Sequence, residues 1–122
     1  MGRSIEGAAF EESGYSYTLS LIRGKHKMSI LYCLMEYQPV RFNEMRRYLG
    51  GVSDRTLSRS LKELEADGLV SRREYPQIPP RVEYSLTERS ASLMGVLDLL
   101  CVWGEKNRPD RRDPGPSDPA AL

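Results

Sequence analysis

Between Gly51 and Val70, leucines recur at positions 57, 61 and 64, the i, i+4, i+7 spacing of one buried helical stripe. Ser53 stands where an N-cap hydroxyl can take up free backbone N–H groups, and Gly68 stands where a helix-ending glycine belongs. At about 100° per residue, Arg55, Arg59 and Lys62 fall opposite the leucines, flanked by Thr56 and Ser58. Glu63, Glu65 and Asp67 are held back to the last turns. A helix whose free face is basic first and acidic last fits end-on insertion into a DNA groove, the way the second helix of a helix-turn-helix reads bases. Taken alone, the same arrangement also describes an ordinary solvated face.

The flanking patterns predict what supports this helix. Residues 1–14 form an N-terminal arm, and an apolar segment runs from Tyr15 to Ile22. Lys25 to Tyr37 is apolar over most of its circumference, at Met28, Ile30, Leu31, Leu34 and Met35, as befits a central buried helix stopped by Pro39. Val40 to Phe42 is an extended link, at most an edge strand. Asn43 is expected to cap a short helix over 44–49, with Met45, Tyr48 and Leu49 inward and Arg46 and Arg47 outward. Gly50 and Gly51 supply the turn into the recognition helix. After Gly68 the period changes to 2, predicting strands over Val70–Tyr75 and Arg81–Leu86, with Val82, Tyr84 and Leu86 inward against Arg81, Glu83 and Ser85. Pro76, Pro79 and Pro80 stiffen the loop, and Arg72, Arg73 and Arg81 make the projecting hairpin basic, as in the wing of a winged helix. Thr87 caps a last helix with Leu93, Val96, Leu97, Leu100 and Trp103 along its apolar face. That stripe is long for a helix at the end of a small domain and calls for a second copy of the chain, with Tyr15, Leu19 and Ile22 joining it.

The fold class expected is therefore mainly α with a small β-hairpin wing (α+β): a winged helix-turn-helix dimerised through its first and last helices. One domain over residues 15–104 follows the arm, and residues 105–122, with four prolines, read as a disordered tail. The net charge of +1 conceals an uneven distribution, since residues 23–81 hold 12 Lys or Arg against 7 Asp or Glu. Cys33 and Cys101 lie inside apolar helical patterns without CxxC spacing, which suits packing residues in a reducing cytoplasm rather than a disulfide scaffold. No apolar run approaches a membrane span and no signal-peptide pattern opens the chain, so a cytoplasmic location is expected. His26 is the single histidine; no nucleophile–base constellation forms around it and the ligands are too few for zinc. Neither an enzyme nor a cofactor or metal is expected.

The runs GKHKMSIL, VRFNEMRRYLGGVSDRTLSRSLKELEADGLVSRREYP and PRVEYSLTE closely resemble the HxlR-type winged helix-turn-helix transcriptional regulators of bacteria, over about Tyr15 to Gly104. The resemblance implies a homodimer, built by the first and last helices, that binds an inverted repeat and represses or activates nearby genes. Three departures matter. Ser13 stands where many members hold a sensor cysteine, His26 replaces the tryptophan of the usual GKWK motif, and Ser90 and Gly95 stand where a glycine and a proline are common.

With hairpin and resemblance added, double-stranded DNA becomes the expected partner. Arg55, Thr56, Ser58 and Arg59 are expected at base edges, and Ser53 at the helix start is counted with the DNA-binding residues. Lys62, Arg46, Arg47 and Arg41 suit phosphates, which fix register without reading sequence. Arg72, Arg73 and Arg81 on the wing suit phosphates or a narrow minor groove. A small-molecule effector is expected in the dimer cleft, among Tyr15, Tyr17 and Trp103. The competing reading is a protein-interaction module that docks through wing and last helix without reading DNA sequence; weak, salt-insensitive DNA binding would favour it.

Overall fold

Residues 4–109 are described by a computed structural model. The element around which they assemble is α4, Asp54–Ala66. The Ser53 hydroxyl accepts the Thr56 N–H at 3.1 Å, and the helix ends with Leu69 N–H bonded to Leu64 C=O and Gly68 N–H to Glu65 C=O. This double closure needs a left-handed residue at Gly68, whose φ is +76°. Leu57, Leu61 and Leu64 are all buried, as the stripe predicts.

Ahead of it come α1 (Gly14–Ile22), α2 (Lys27–Tyr37), β1 (Val40–Arg41) and α3 (Phe42–Tyr48). Ile30, Leu31, Cys33 and Leu34 of α2 are buried at the centre of the core, where they join Met45 of α3 and the α4 leucines. Between α3 and α4, Gly50 and Gly51 both have φ above +80°, a pair of left-handed residues that a side chain would strain. Two expectations are corrected in α3. The helix starts one residue before Asn43, with Arg41 at the cap position, because the Glu44 carboxylate reaches back to accept the Arg41 N–H at 2.8 Å. Tyr48 points outward and packs edge-on against Tyr37.

The strands are β2 (Val70–Tyr75) and β3 (Arg81–Leu86), at the residues their alternation predicts. The sheet is antiparallel in the order β1-β3-β2, so β3 is central and β1 an edge. Tyr84 is buried, whereas Val82 and Leu86 are half-buried and so are Arg81, Glu83 and Ser85. The clean inward–outward contrast expected of β3 is blurred because a strand flanks it on each side.

The last helix, α5 (Glu88–Asn107), begins at Thr87, whose hydroxyl accepts the Ser90 N–H while Ser90 Oγ accepts the Thr87 N–H. It continues three residues past the domain end expected at 104, and residues 110–122 of the expected tail lie outside the described residues. A short 3₁₀ turn, Phe10–Glu12, precedes α1. Among the described residues no helix is long and apolar enough to cross a membrane.

Candidate nucleic-acid interface

Burying the leucine stripe of α4 leaves its other side in solvent. Arg55, Arg59 and Lys62 are exposed and, with half-buried Ser58 between them, line one shallow groove of about 400 Å³. Thr56 is half-buried, its hydroxyl accepting a bond from Ser53 Oγ at 3.0 Å. Ser53 therefore starts the helix and orients Thr56, instead of standing free at its tip.

The remaining arginines divide by strand parity. Across the sheet Arg41 pairs with Glu83, and Glu83 with Arg73, while Tyr75 pairs with Arg81. These residues share the outer face, where Tyr75 lies between two guanidiniums, Arg73 at 4.8 Å and Arg81 at 4.3 Å from the ring centroid. Arg72 pairs with buried Tyr84 and so belongs to the opposite face, beside Glu74 at 3.6 Å. The three wing arginines thus share the hairpin but not one face, and Arg41, reached through the edge strand, takes the place beside Arg73 and Arg81. A groove of about 410 Å³ between the start of α3 and the loop end of β3 gathers Arg41, Arg47 and Arg81 with Phe42, Glu44 and Pro80.

Arg46 is committed inside the protein, because its guanidinium is paired with Asp54 in the first turn of α4 and links the two helices of the motif. The pairing involves residues eight apart across the glycine turn, and the helical pattern of either helix alone gives no sign of it. A second link lay equally hidden. Lys27 is buried at 7% exposure, and its ammonium reaches the Glu63 carboxylate at 2.9 Å. The Lys27 hydrogen bond and charge hold the Glu63 carboxyl below the usual carboxylate range. Beside it, buried Ser60 donates to the Lys25 carbonyl at 2.6 Å. The GKHK turn is thereby fastened to the back of the recognition helix at two points.

The residues expected at the dimer interface also divide. Ile22 and Leu97 are corrected: both are buried in this protomer's own core, and Leu93 packs against that core. Leu19 is half-buried, while Tyr15, Val96, Leu100 and Trp103 are exposed, joined by Leu99 and Val102. Tyr17 accepts a bond from Arg89 at 2.6 Å, and Tyr15 packs edge-on against Phe10. Neither tyrosine lines a described groove with Trp103. An apolar groove of about 320 Å³ lies instead between α2, the end of α3 and α5, with Tyr32, Tyr48, Leu49 and Cys101 in its lining.

The thiols differ. Cys33 is buried, and burial pushes its thiol up, whereas Cys101 is half-buried in that groove and raises the Tyr32 phenol beside it. The Ser13 hydroxyl caps α1, accepting the Ser16 N–H at 3.0 Å and donating to the Phe10 carbonyl at 2.7 Å. Among the described residues no group of His, Cys, Asp or Glu could hold a metal ion.

Residues 21–112 match the model of the HxlR-like helix-turn-helix family. An uncharacterized HTH-type transcriptional regulator of Halalkalibacterium halodurans is 56% identical over 98 residues, 80% of this chain and 87% of that protein. The structure of the redox regulator HypR in its oxidized form superposes with a TM-score of 0.73 at 42% identity, over 80% of this chain and 99% of that one. A MarR-family transcriptional regulator from Porphyromonas gingivalis gives 0.76 at 30% identity, over 83% and 98% of the two chains.

Proposed function

Since this chain belongs to the HxlR-like helix-turn-helix family and is a DNA-binding transcriptional regulator, we propose that it acts as a homodimer on an inverted-repeat operator, with α4 in successive major grooves. The observation that carries this reading is the exposed row of Arg55, Ser58, Arg59 and Lys62 behind a fully buried leucine stripe. In this reading Arg55, Arg59, Thr56 and Ser58 meet base edges, since a guanidinium bonds guanine bidentately and a hydroxyl serves either base. Lys62, Arg47, Arg41, Arg73 and Arg81 meet phosphates; Arg46 joins them only by sharing itself with Asp54. Residues 15–104 form the reading and dimerisation unit, working in the cytoplasm where its DNA is. The dimer is closed by the apolar residues of α5 that the core leaves uncovered, together with Tyr15 and Leu19 of α1.

One similar structure is of a protein described as a redox regulator. For this chain we infer a signal of another kind, because Ser13, which the resemblance sets at the sensor cysteine of many members, is a hydroxyl that caps a helix. The signal is an uncharged small molecule, or the protein's own abundance. The apolar groove beside Tyr32 suits such a molecule better than Tyr15, Tyr17 and Trp103, since it adjoins Leu49 at the turn into α4.

Footprinting on the DNA flanking the chain's own gene tests the reading. Protection of two half-sites about one helical turn apart, weakening steeply with salt, is the expected result. Weak binding indifferent to sequence would overturn it.

A further inference from the structure

Arg59 and Glu63 are four residues apart on α4, so their side chains are neighbours on the helix surface and line the same shallow groove. A carboxylate there is a hazard to a DNA reader. It can take the guanidinium that a base should receive. Among the described residues the ion pair of Glu63 is with Lys27, at 2.9 Å, and not with Arg59, although the Arg59 charge still acts on the carboxylate. Lys27 reaches it from the first turn of α2, its stem buried beneath the preceding turn. Glycine at residue 24 leaves that stem room, and a side chain there would make the flexible end of Lys27 shift. A Cβ on Gly24 would lie 2.6 Å from Lys27 Cε and 2.8 Å from Cδ, closer than real atoms approach.

We propose that Lys27 is a positioning residue for DNA reading: by holding the Glu63 carboxylate it keeps Arg59 unpaired and available to DNA. The inference rests on the assignment of Arg59 to a base edge. Lys27 itself touches no DNA. Its effect is relayed through one carboxylate, and this separates it from a residue that merely holds the fold together. If Lys27 were only a structural anchor, neutralising Glu63 would break the same anchor and weaken binding too. If Lys27 acts by restraining Glu63, neutralising Glu63 removes the need for it.

The experiment measures anisotropy of a duplex selected by the parent protein from a random pool, with circular dichroism of every variant. Lys27→Met should weaken binding about tenfold, approaching the loss from Arg59→Ala. Gly24→Ala, which removes neither charge and only crowds the flexible Lys27 stem, should weaken it less. Glu63→Gln should bind as the parent does, and Glu63→Gln added to Lys27→Met should restore binding to within about twofold of the parent. In an Arg59→Ala background, Lys27→Met should add no further loss. Should Lys27→Met fail to fold, Lys27→Gln with and without Glu63→Gln carries the same comparison. A Lys27→Met protein that binds as the parent does, while Arg59→Ala is weakened, overturns the inference. So does a Lys27→Met, Glu63→Gln protein that stays as weak as Lys27→Met alone. An Arg59→Ala protein that binds normally overturns the assignment of Arg59 instead.

Discussion

Two helices of this chain, α4 and the second half of α5, carry similar numbers of large apolar residues and use them in opposite ways. In α4 every leucine is buried within the protomer, and what faces solvent is mostly charged, arginine and lysine in the first half and glutamate in the last turns. Of the large apolar residues of α5 only Leu97 is buried, while Leu99 and Trp103 are each 68% exposed and Val96 and Leu100 more than half exposed. One helix has satisfied its apolar stripe inside its own fold and offers charge; the other still presents apolar surface. A charged face calls for a polyanion, whereas an uncovered apolar face calls for another such face. The comparison teaches that an amphipathic period identifies a face that must be covered without saying by whom.

If the two helices serve different partners, damage to each should read differently. Replacing Leu100 and Trp103 together by glutamate should give a folded monomer in sedimentation, with operator affinity lower by about 10²–10⁴-fold once the two half-sites no longer act together. A dimer that persists would collapse the contrast, because α5 would then need no partner. Leu61→Ala, in the stripe that is already covered, should instead cost about 2–5 kcal/mol in denaturant unfolding. Arg59→Ala should leave stability and dimerisation alone, costing about 1–3 kcal/mol of specific binding and relaxing preference at one base position. Arg47→Ala should weaken all sequences alike and lower the salt slope by about one. Arg46→Ala is the less clean probe, since it also releases Asp54. The smallest effect is expected from diamide: operator binding should be unchanged in the parent and in a Cys33→Ser, Cys101→Ser double variant. Loss in the parent alone would make one of these thiols a sensor and give α5, through Cys101, a role beyond assembly.

Local chemistry made much of this legible in the sequence. Both hairpin strands begin and end at the residues their alternation and prolines predict, and α4 is bounded by its own serine and glycine. The start of α3 was misleading because its cap is a carboxylate reaching back from Glu44, while Asn43 only looks like a cap. Ile22 and Leu97 carried the right period, but period cannot tell a chain's own core from a partner's. The split between Arg72 and Arg73 was available in the sequence, since adjacent strand residues point to opposite faces. The Lys27–Glu63 and Ser60–Lys25 links were not, because residues some 35 positions apart meet only when α2 packs on α4.

The Thr87 hydroxyl accepts from Ser90 N–H at the start of α5 and also donates to the Gly68 carbonyl, where α4 closes, at 2.6 Å. One oxygen is therefore a pin that joins the end of one helix to the start of the other. From that pin the 20 residues of α5 extend about 30 Å, at 1.5 Å per residue. A tilt of roughly 5° about the pin moves the far end by about 2.6 Å over that length. The gearing also runs backwards: a displacement at the tip of α5 arrives at the end of the reading helix as a small rotation with little translation. In the dimer proposed above, whose two reading heads would have to match a half-site spacing, rotation at this pin would trade assembly against fit to DNA.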